Sequence, residues 1–210
     1  MNLYAYLAII RQEKTKNNNM ADRYKQIIRS TSRQIREQLS TDYQETASVQ
    51  VCRRIRELPQ YRYAKRIALY HAMGGEISLD ALWNSAPLHG KYCYFPALND
   101  DKTLSFLPAT PTTPFKENKY GIGEPDVDKG EAIPPRQLDI IFLPLVAFDE
   151  HCTRLGMGAG YYDRTLAKEN HPFLIGVAYE FQRQIYIEPH AWDIPLTAVV
   201  TQRTIYWSKP

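Results

Sequence analysis

Apolar residues along this chain gather into short runs, and longer stretches with helical spacing lie between them. The strongest run is Leu138, Ile140, Ile141, Phe142 and Leu143, ended by Pro144. It predicts a strand buried on both faces. Phe173 to Tyr179 predicts a second such strand, and the β-branched stretch Thr197 to Thr201 a third. Arg66 to Ala72, Lys91 to Phe95 (closed by Pro96) and Leu104 to Leu107 read as further strands, with Arg203 to Trp207 as a terminal strand or tail. Between them, Ala21 to Leu39 is helical in character. Tyr24, Ile27, Ile28, Ile35 and Leu39 form a broken apolar stripe, and Lys25, Arg29, Arg33 and Arg36 lie beside it. Read for itself, this pattern puts the stripe on the core and the cations in solvent. Thr41 to Gln44 has the spacing of a capping box and opens a second helix that stops at Pro59. Ser78 caps a short helix, Phe181 to Ile185 reads as a short helical turn, and the polar, proline-containing stretch from Tyr120 to Arg136 reads as a long loop. Short buried strands alternating with helices predict an α/β fold: an α/β/α layered arrangement with a mixed, largely parallel central sheet in a single compact domain.

Between the strand at Leu138 and the next helix stand Gly156, Gly158 and Gly160, alternating with Met157 and Ala159. A glycine loop leaves backbone N–H groups free and lets an anion approach the main chain. The spacing is neither that of a P-loop nor that of the dinucleotide fingerprint. Arg154 before the loop and Asp163 after it supply charges suited to phosphate and to a metal ion. The residues alone leave two readings open, an anion-binding loop and a tight left-handed turn that needs glycine for its dihedrals, and three glycines at alternate positions favour the first.

Composition narrows the field only a little. The 210 residues suit one domain, and a net charge of +3 is too mild to argue for nucleic acid. Cys52, Cys93 and Cys152 are odd in number and show no C-x-x-C, so neither a disulfide framework nor a zinc site is expected, and a reducing, cytoplasmic setting is the default. No apolar run is long enough to span a membrane. Residues 1–19 end in three asparagines before Met20 and are expected to be a flexible extension, leaving 20–210 as the folded domain.

The run F-D-E-H-C-T-R-L-G-M-G-A-G-Y-Y-D-R resembles the signature of the 5-formyltetrahydrofolate cyclo-ligase family, also called 5,10-methenyltetrahydrofolate synthetases. Lys25 and Arg29, Glu76 after the strand at Ile67, the turn Y-G-I-G-E-P and the late Asp193-Ile194-Pro195 follow in the family's order. The resemblance implies ATP-dependent ring closure of 5-formyltetrahydrofolate with magnesium; the alternatives are a small-molecule kinase, a sugar-phosphate isomerase, or a non-catalytic folate- or nucleotide-binding relative. A monomer that works without nucleic acid or membrane is expected. It implies that Lys25, Arg29, Arg154, Leu155, Gly156, Met157, Gly158, Ala159, Gly160, Tyr161 and Tyr162 hold ATP. His71, Glu76, Tyr120 and Tyr161 would meet the folate, Arg154 and Tyr161 would take part in catalysis, and Asp163 and Asp193 would hold Mg2+. Tyr161 and Tyr162 are neighbours and must point to different faces, so one of them is expected in the core. The chain departs from the family pattern at Met157 and Ala159, where some relatives carry Arg and Lys, and at Thr197, where many carry Asp.

Overall fold

The computed structural model describes residues 3–167 and 172–209, with side chains from residue 20 onward. The elements in order are α1 (Leu3–Glu37), α2 (Thr41–Glu57), α3 (Pro59–Tyr63), β1 (Arg66–Ala68), α4 (Asp80–Ser85), β2 (Tyr92–Leu98), β3 (Leu104–Ala109), β4 (Phe115–Glu117), β5 (Gly123–Pro125), β6 (Ile140–Pro144), β7 (Ala147–Phe148), β8 (Arg154–Leu155), α5 (Tyr161–Leu166), β9 (Phe173–Val177), β10 (Ala198–Val200) and β11 (Ile205–Trp207). Residue 19, the expected end of the extension, falls inside α1.

Seven strands form one sheet in the order β11-β10-β9-β6-β1-β2-β3. The inner pairs β10–β9, β9–β6, β6–β1 and β1–β2 are parallel, and the two outer pairs are antiparallel. The predicted class, mixed and largely parallel, is the one found. Alternation along each strand divides the core in two. Ile67, Cys93, Phe95, Ile140, Phe142, Ile175, Val177 and Val200 face α2, α3 and α4. Ala68, Tyr94, Phe106, Ile141, Leu143, Leu174 and Val199 face Leu166 of α5, Phe148 of β7 and the loop residues Cys152 and Leu196.

Several boundaries move for identifiable reasons. Pro96 does not close its strand, because β2 continues to Leu98. Pro96 pairs with Phe106, and its nitrogen faces away from β3 at a level where β1 has already ended, so no ladder bond is lost. The cap of α2 is Ser40, one residue before the expected Thr41. Its hydroxyl accepts from the Tyr43 amide, while the Gln44 side chain donates to the Leu39 carbonyl. The N-cap position of α4 is Leu79 rather than the expected Ser78, whose hydroxyl instead accepts from the amide of Asp80, the first residue of the helix. The short helical turn after β9 is a single 3-10 turn at Glu180–Gln182. The expected long loop contains β5, which forms a hairpin with β4.

The largest correction concerns α1. Tyr24, Ile27 and Ile35 of the supposed core stripe are 48%, 55% and 39% exposed, whereas Lys25, Ile28, Ser32 and Arg36 are buried and Arg29 is half-buried. The helix turns its cationic face inward, and the reason lies in what those cations meet.

Candidate functional site

The chain leaves β1 toward β2 on one side of the sheet, and leaves β6 toward β9 on the other. The loops that follow β1 and β6 therefore part company at adjacent strand ends. Such a switch point opens a crevice at the carboxyl edge of a parallel sheet. Glu76 comes from the first loop and Arg154 and the glycines from the second, while α1 reaches both.

The glycine loop is held from two sides. Arg29 Nε donates to the Gly156 carbonyl at 2.9 Å, and Arg154 donates to Asp163 Oδ1 at 2.7 Å. Gly158 (φ +98°) and Gly160 (φ +69°) occupy left-handed backbone, which needs glycine. The amides of Met157 to Tyr162 donate to nothing among the described residues. Arg154 is nearly buried, with a side chain 7% exposed, yet its Nε has no partner among the described residues. Free amides and an unspent buried guanidinium donor fit an oligophosphate. Lys25 lies beside Asp193, Asp22 and Arg29, and burial holds its ammonium below the ordinary lysine value. Burial lowers Arg29 in the same way, against the pull of Asp22 and Asp193.

The two carboxylates expected to hold metal are neighbours through Ile194, whose amide reaches Asp163 Oδ1 at 3.3 Å. Asp193 Oδ2 accepts from the His190 amide at 2.8 Å. Asp163 Oδ2 and Asp193 Oδ1 carry no hydrogen bond among the described residues, and no group of three or more metal-binding side chains occurs among them. A sparse pair of this kind suits Mg2+, which takes one or two carboxylates and fills its remaining positions with water and phosphate oxygens. Thr197 stands just before β10, bonded to Leu174 and Ser208 on its two sides, and its hydroxyl accepts from the Leu174 amide.

Tyr161 and Tyr162 do separate. The half-buried Tyr161 brings its hydroxyl within 3.5 Å of that of exposed Tyr120, ring on edge. Tyr162 is also half-buried but packs against the core, with the Arg154 guanidinium 5.6 Å from its ring centre, and burial of its hydroxyl drives it well above the usual tyrosine range. Tyr162 thus supports Arg154 rather than presenting a free face to ATP. Tyr120 is placed by the β4–β5 hairpin: Asn118 Oδ1 accepts from the Tyr120 and Ile122 amides, and Asn118 also donates to buried Glu124.

His71 stacks on Phe95 at 4.6 Å and stands edge-on to Phe115 and Trp83. Its Nε2 and the Trp83 Nε1 are buried with no partner among the described residues. Burial lowers its proton affinity below that of an ordinary histidine. Glu76 forms an ion pair with Arg36 at 3.2 Å. Burial pushes the Glu76 carboxyl above its normal range, while Arg36 and the Met73 amide pull it back. Arg36 was hidden in the sequence among the cations of a helix read as solvated. The signal that marks it is the spacing Lys25, Arg29, Ser32, Arg36, a single helical face.

A model of the 5-formyltetrahydrofolate cyclo-ligase family matches residues 21–202. The 5-formyltetrahydrofolate cyclo-ligase of Haemophilus influenzae is 42% identical over 176 residues, covering 82% of this chain and 94% of that one. The enzyme of the same name from Escherichia coli K12 is 34% identical over 178 residues, covering 83% and 98%. Among solved structures, the 5,10-methenyltetrahydrofolate synthetase of Aquifex aeolicus superposes with a TM-score of 0.78 at 31% identity, covering 89% of this chain and 93% of its own. That of Mycoplasma pneumoniae gives 0.69 at 25%, covering 85% and 98%. The matched length takes in Lys25, Glu76, the glycine loop and Asp193 alike, and the chain therefore belongs to the 5-formyltetrahydrofolate cyclo-ligase family of enzymes.

Proposed function

We propose that this protein converts 5-formyltetrahydrofolate to 5,10-methenyltetrahydrofolate, with ATP yielding ADP and phosphate. One observation carries the reading: a glycine loop with unspent amides, held by Arg29 and by Arg154 through Asp163, and the largely covered carboxylate of Glu76 follow adjacent strands at the switch point of the sheet.

The chemistry calls for such an arrangement. A formamide oxygen leaves poorly. Transfer of the γ-phosphoryl group to that oxygen makes it a leaving group and makes its carbon electrophilic. The side-arm nitrogen of the same folate then attacks the carbon and gives up its proton, the C–O bond breaks, and phosphate departs carrying that proton. The closure is intramolecular, so holding the folate in the reactive conformer supplies much of the rate. The protein's part is positioning and neutralising charge. Lys25, Arg29, Arg154 and the amides from Leu155 to Tyr161 hold the triphosphate. Asp163 and Asp193 would hold Mg2+, which would neutralise phosphate charge when bound. Glu76 accepts hydrogen bonds from the folate ring, His71 lines its pocket, and Tyr120 and Tyr161 offer it flat faces. Arg154, aimed at the loop and steadied by Asp163 and Tyr162, stabilises the phosphoryl group in transfer, with Tyr161 beside it. The protein works as a monomer on a small molecule, in the cytoplasm, and residues 1–19 lie outside the catalytic unit.

The test is absorbance in the methenyl product's band, with 5-formyltetrahydrofolate, magnesium and ATP mixed with the protein and ATP omitted as control. An ATP-dependent rise supports the reading. Folate binding by calorimetry without turnover would replace it with that of a binding protein.

A further inference from the structure

One face of α1 carries more charge into the interior than a triphosphate grip requires. Lys25 and Arg29 serve the Asp193 side and the glycine loop. Arg36, two turns further along, goes elsewhere. Its side chain is 5% exposed, and its Nη1 lies 3.2 Å from Glu76 Oε1 and 3.5 Å from the Leu145 carbonyl, at the mouths of β1 and β6. The turn Met73-Gly74-Gly75-Glu76 closes onto this residue. Gly75 (φ +75°) lies so near that a Cβ there would come within 2.8 Å of the Arg36 carbonyl oxygen. The Tyr179 hydroxyl donates to the Gly75 carbonyl at 2.9 Å. Glu76 Oε2 accepts from the Met73 amide at 3.1 Å. Each carboxylate oxygen of Glu76 thus has one donor from the protein and keeps a lone pair for a ligand.

We propose that Arg36 is the positioning residue for Glu76: its guanidinium fixes the direction of the carboxylate and keeps it a pure hydrogen-bond acceptor for the folate ring. The inference rests on the reading of Glu76 as a folate contact. The titratable groups facing Glu76 are Arg36 from α1, Tyr70 from the loop after β1, Tyr162 from α5 and Tyr179 from the segment after β9. All three phenols are held neutral by burial, which leaves Arg36 as the cation opposing the burial of Glu76 among the described residues. Without it, a buried carboxylate takes up a proton. A protonated Glu76 would present O–H toward a ligand edge that itself donates.

Steady-state kinetics across pH on the full chain test this with Arg36→Met, Arg36→Lys and Glu76→Gln. Arg36→Met should raise the folate KM about tenfold and leave the ATP KM unchanged. It should also move the acid limb of kcat/KM for folate to higher pH, because that limb reports the free enzyme's essential carboxylate. Arg36→Lys should fall between Arg36→Met and the parent, and Glu76→Gln should weaken folate and abolish the limb. If Glu76→Gln is impaired while Arg36→Met keeps its folate KM and its limb, the inference fails and the function stands. Equal loss of both substrates in Arg36→Met, with early thermal unfolding, would reduce Arg36 to a structural residue and also overturn it. An unchanged folate KM in Glu76→Gln would remove the folate contact itself, and the inference with it.

Discussion

Asp163 serves two partners, and its replacement separates them. Its Oδ1 holds Arg154 and the Ile194 amide, while its Oδ2 carries no hydrogen bond among the described residues. Asp163→Asn keeps the shape and the amide contact but removes the charge that neutralises Arg154. Turnover should fall about a hundredfold or more, with folate binding retained by calorimetry. Gly158→Ala tests the loop backbone. The nearest atom to its added Cβ would be in the Arg29 guanidinium at 3.6 Å, an ordinary contact, so the effect comes from φ +98°. Forcing an L-residue into that region costs on the order of 1–2 kcal/mol, and a raised ATP KM with a lowered melting temperature should follow. His71 provides a pH signature. Its folded proton affinity is depressed by burial, so below the ordinary value of about 6.5 the unfolded chain binds a proton that the folded chain refuses. Stability contributed by this site is present at higher pH and is lost as pH falls through that value toward the lower folded one. A scan of melting temperature from about pH 7 to about pH 5 should show His71→Phe losing less than the parent.

Elements were legible where burial alone decides their form. The run around Ile140 and Phe142 became β6, Phe173 to Val177 became β9, and both lie where a two-face buried strand must lie. Helix α1 was misread because its inward face is polar. Amphipathic reasoning assigns the apolar side to the core, but here Lys25, Arg29 and Arg36 point inward, where carboxylates and carbonyls wait, and Tyr24 and Ile27 remain outside. That failure coincides with the candidate site, as expected where function overrides the local pattern. The β4–β5 hairpin was missed because its strands are three residues each and carry little alternation. Two element-scale predictions concern stability. Gly176 lies in β9, and a Cβ there would come within 2.6 Å of Leu196 and 2.8 Å of Leu145. Gly176→Ala should cost about 1–3 kcal/mol in urea unfolding. Lys91 closes the end of α3, with its ammonium on the carbonyls of Tyr61 and Ala64 at 2.6 and 2.7 Å and over the Tyr61 ring. Lys91→Met should cost about 1–3 kcal/mol in the same experiment without changing either KM.

Across the whole molecule, the double-sided core shields every cysteine. Cys52, Cys93 and Cys152 are buried, and burial raises their thiols to about 11, about 12 and about 11. A thiol reagent at neutral pH should therefore label the protein only as fast as it unfolds, which labelling in and out of denaturant would show. The glycine signature made the site readable from sequence, but the crevice came from strand order, which no local pattern encodes. Because α1 spans that crevice, it acts as a ruler. Arg29 marks the glycine-loop end and Arg36 the carboxylate end, and the helical rise fixes them about 10 Å apart. Lengthening the ruler by one residue between those marks would also rotate the far mark by about 100°. Donor and acceptor could then each be held, but no longer in register.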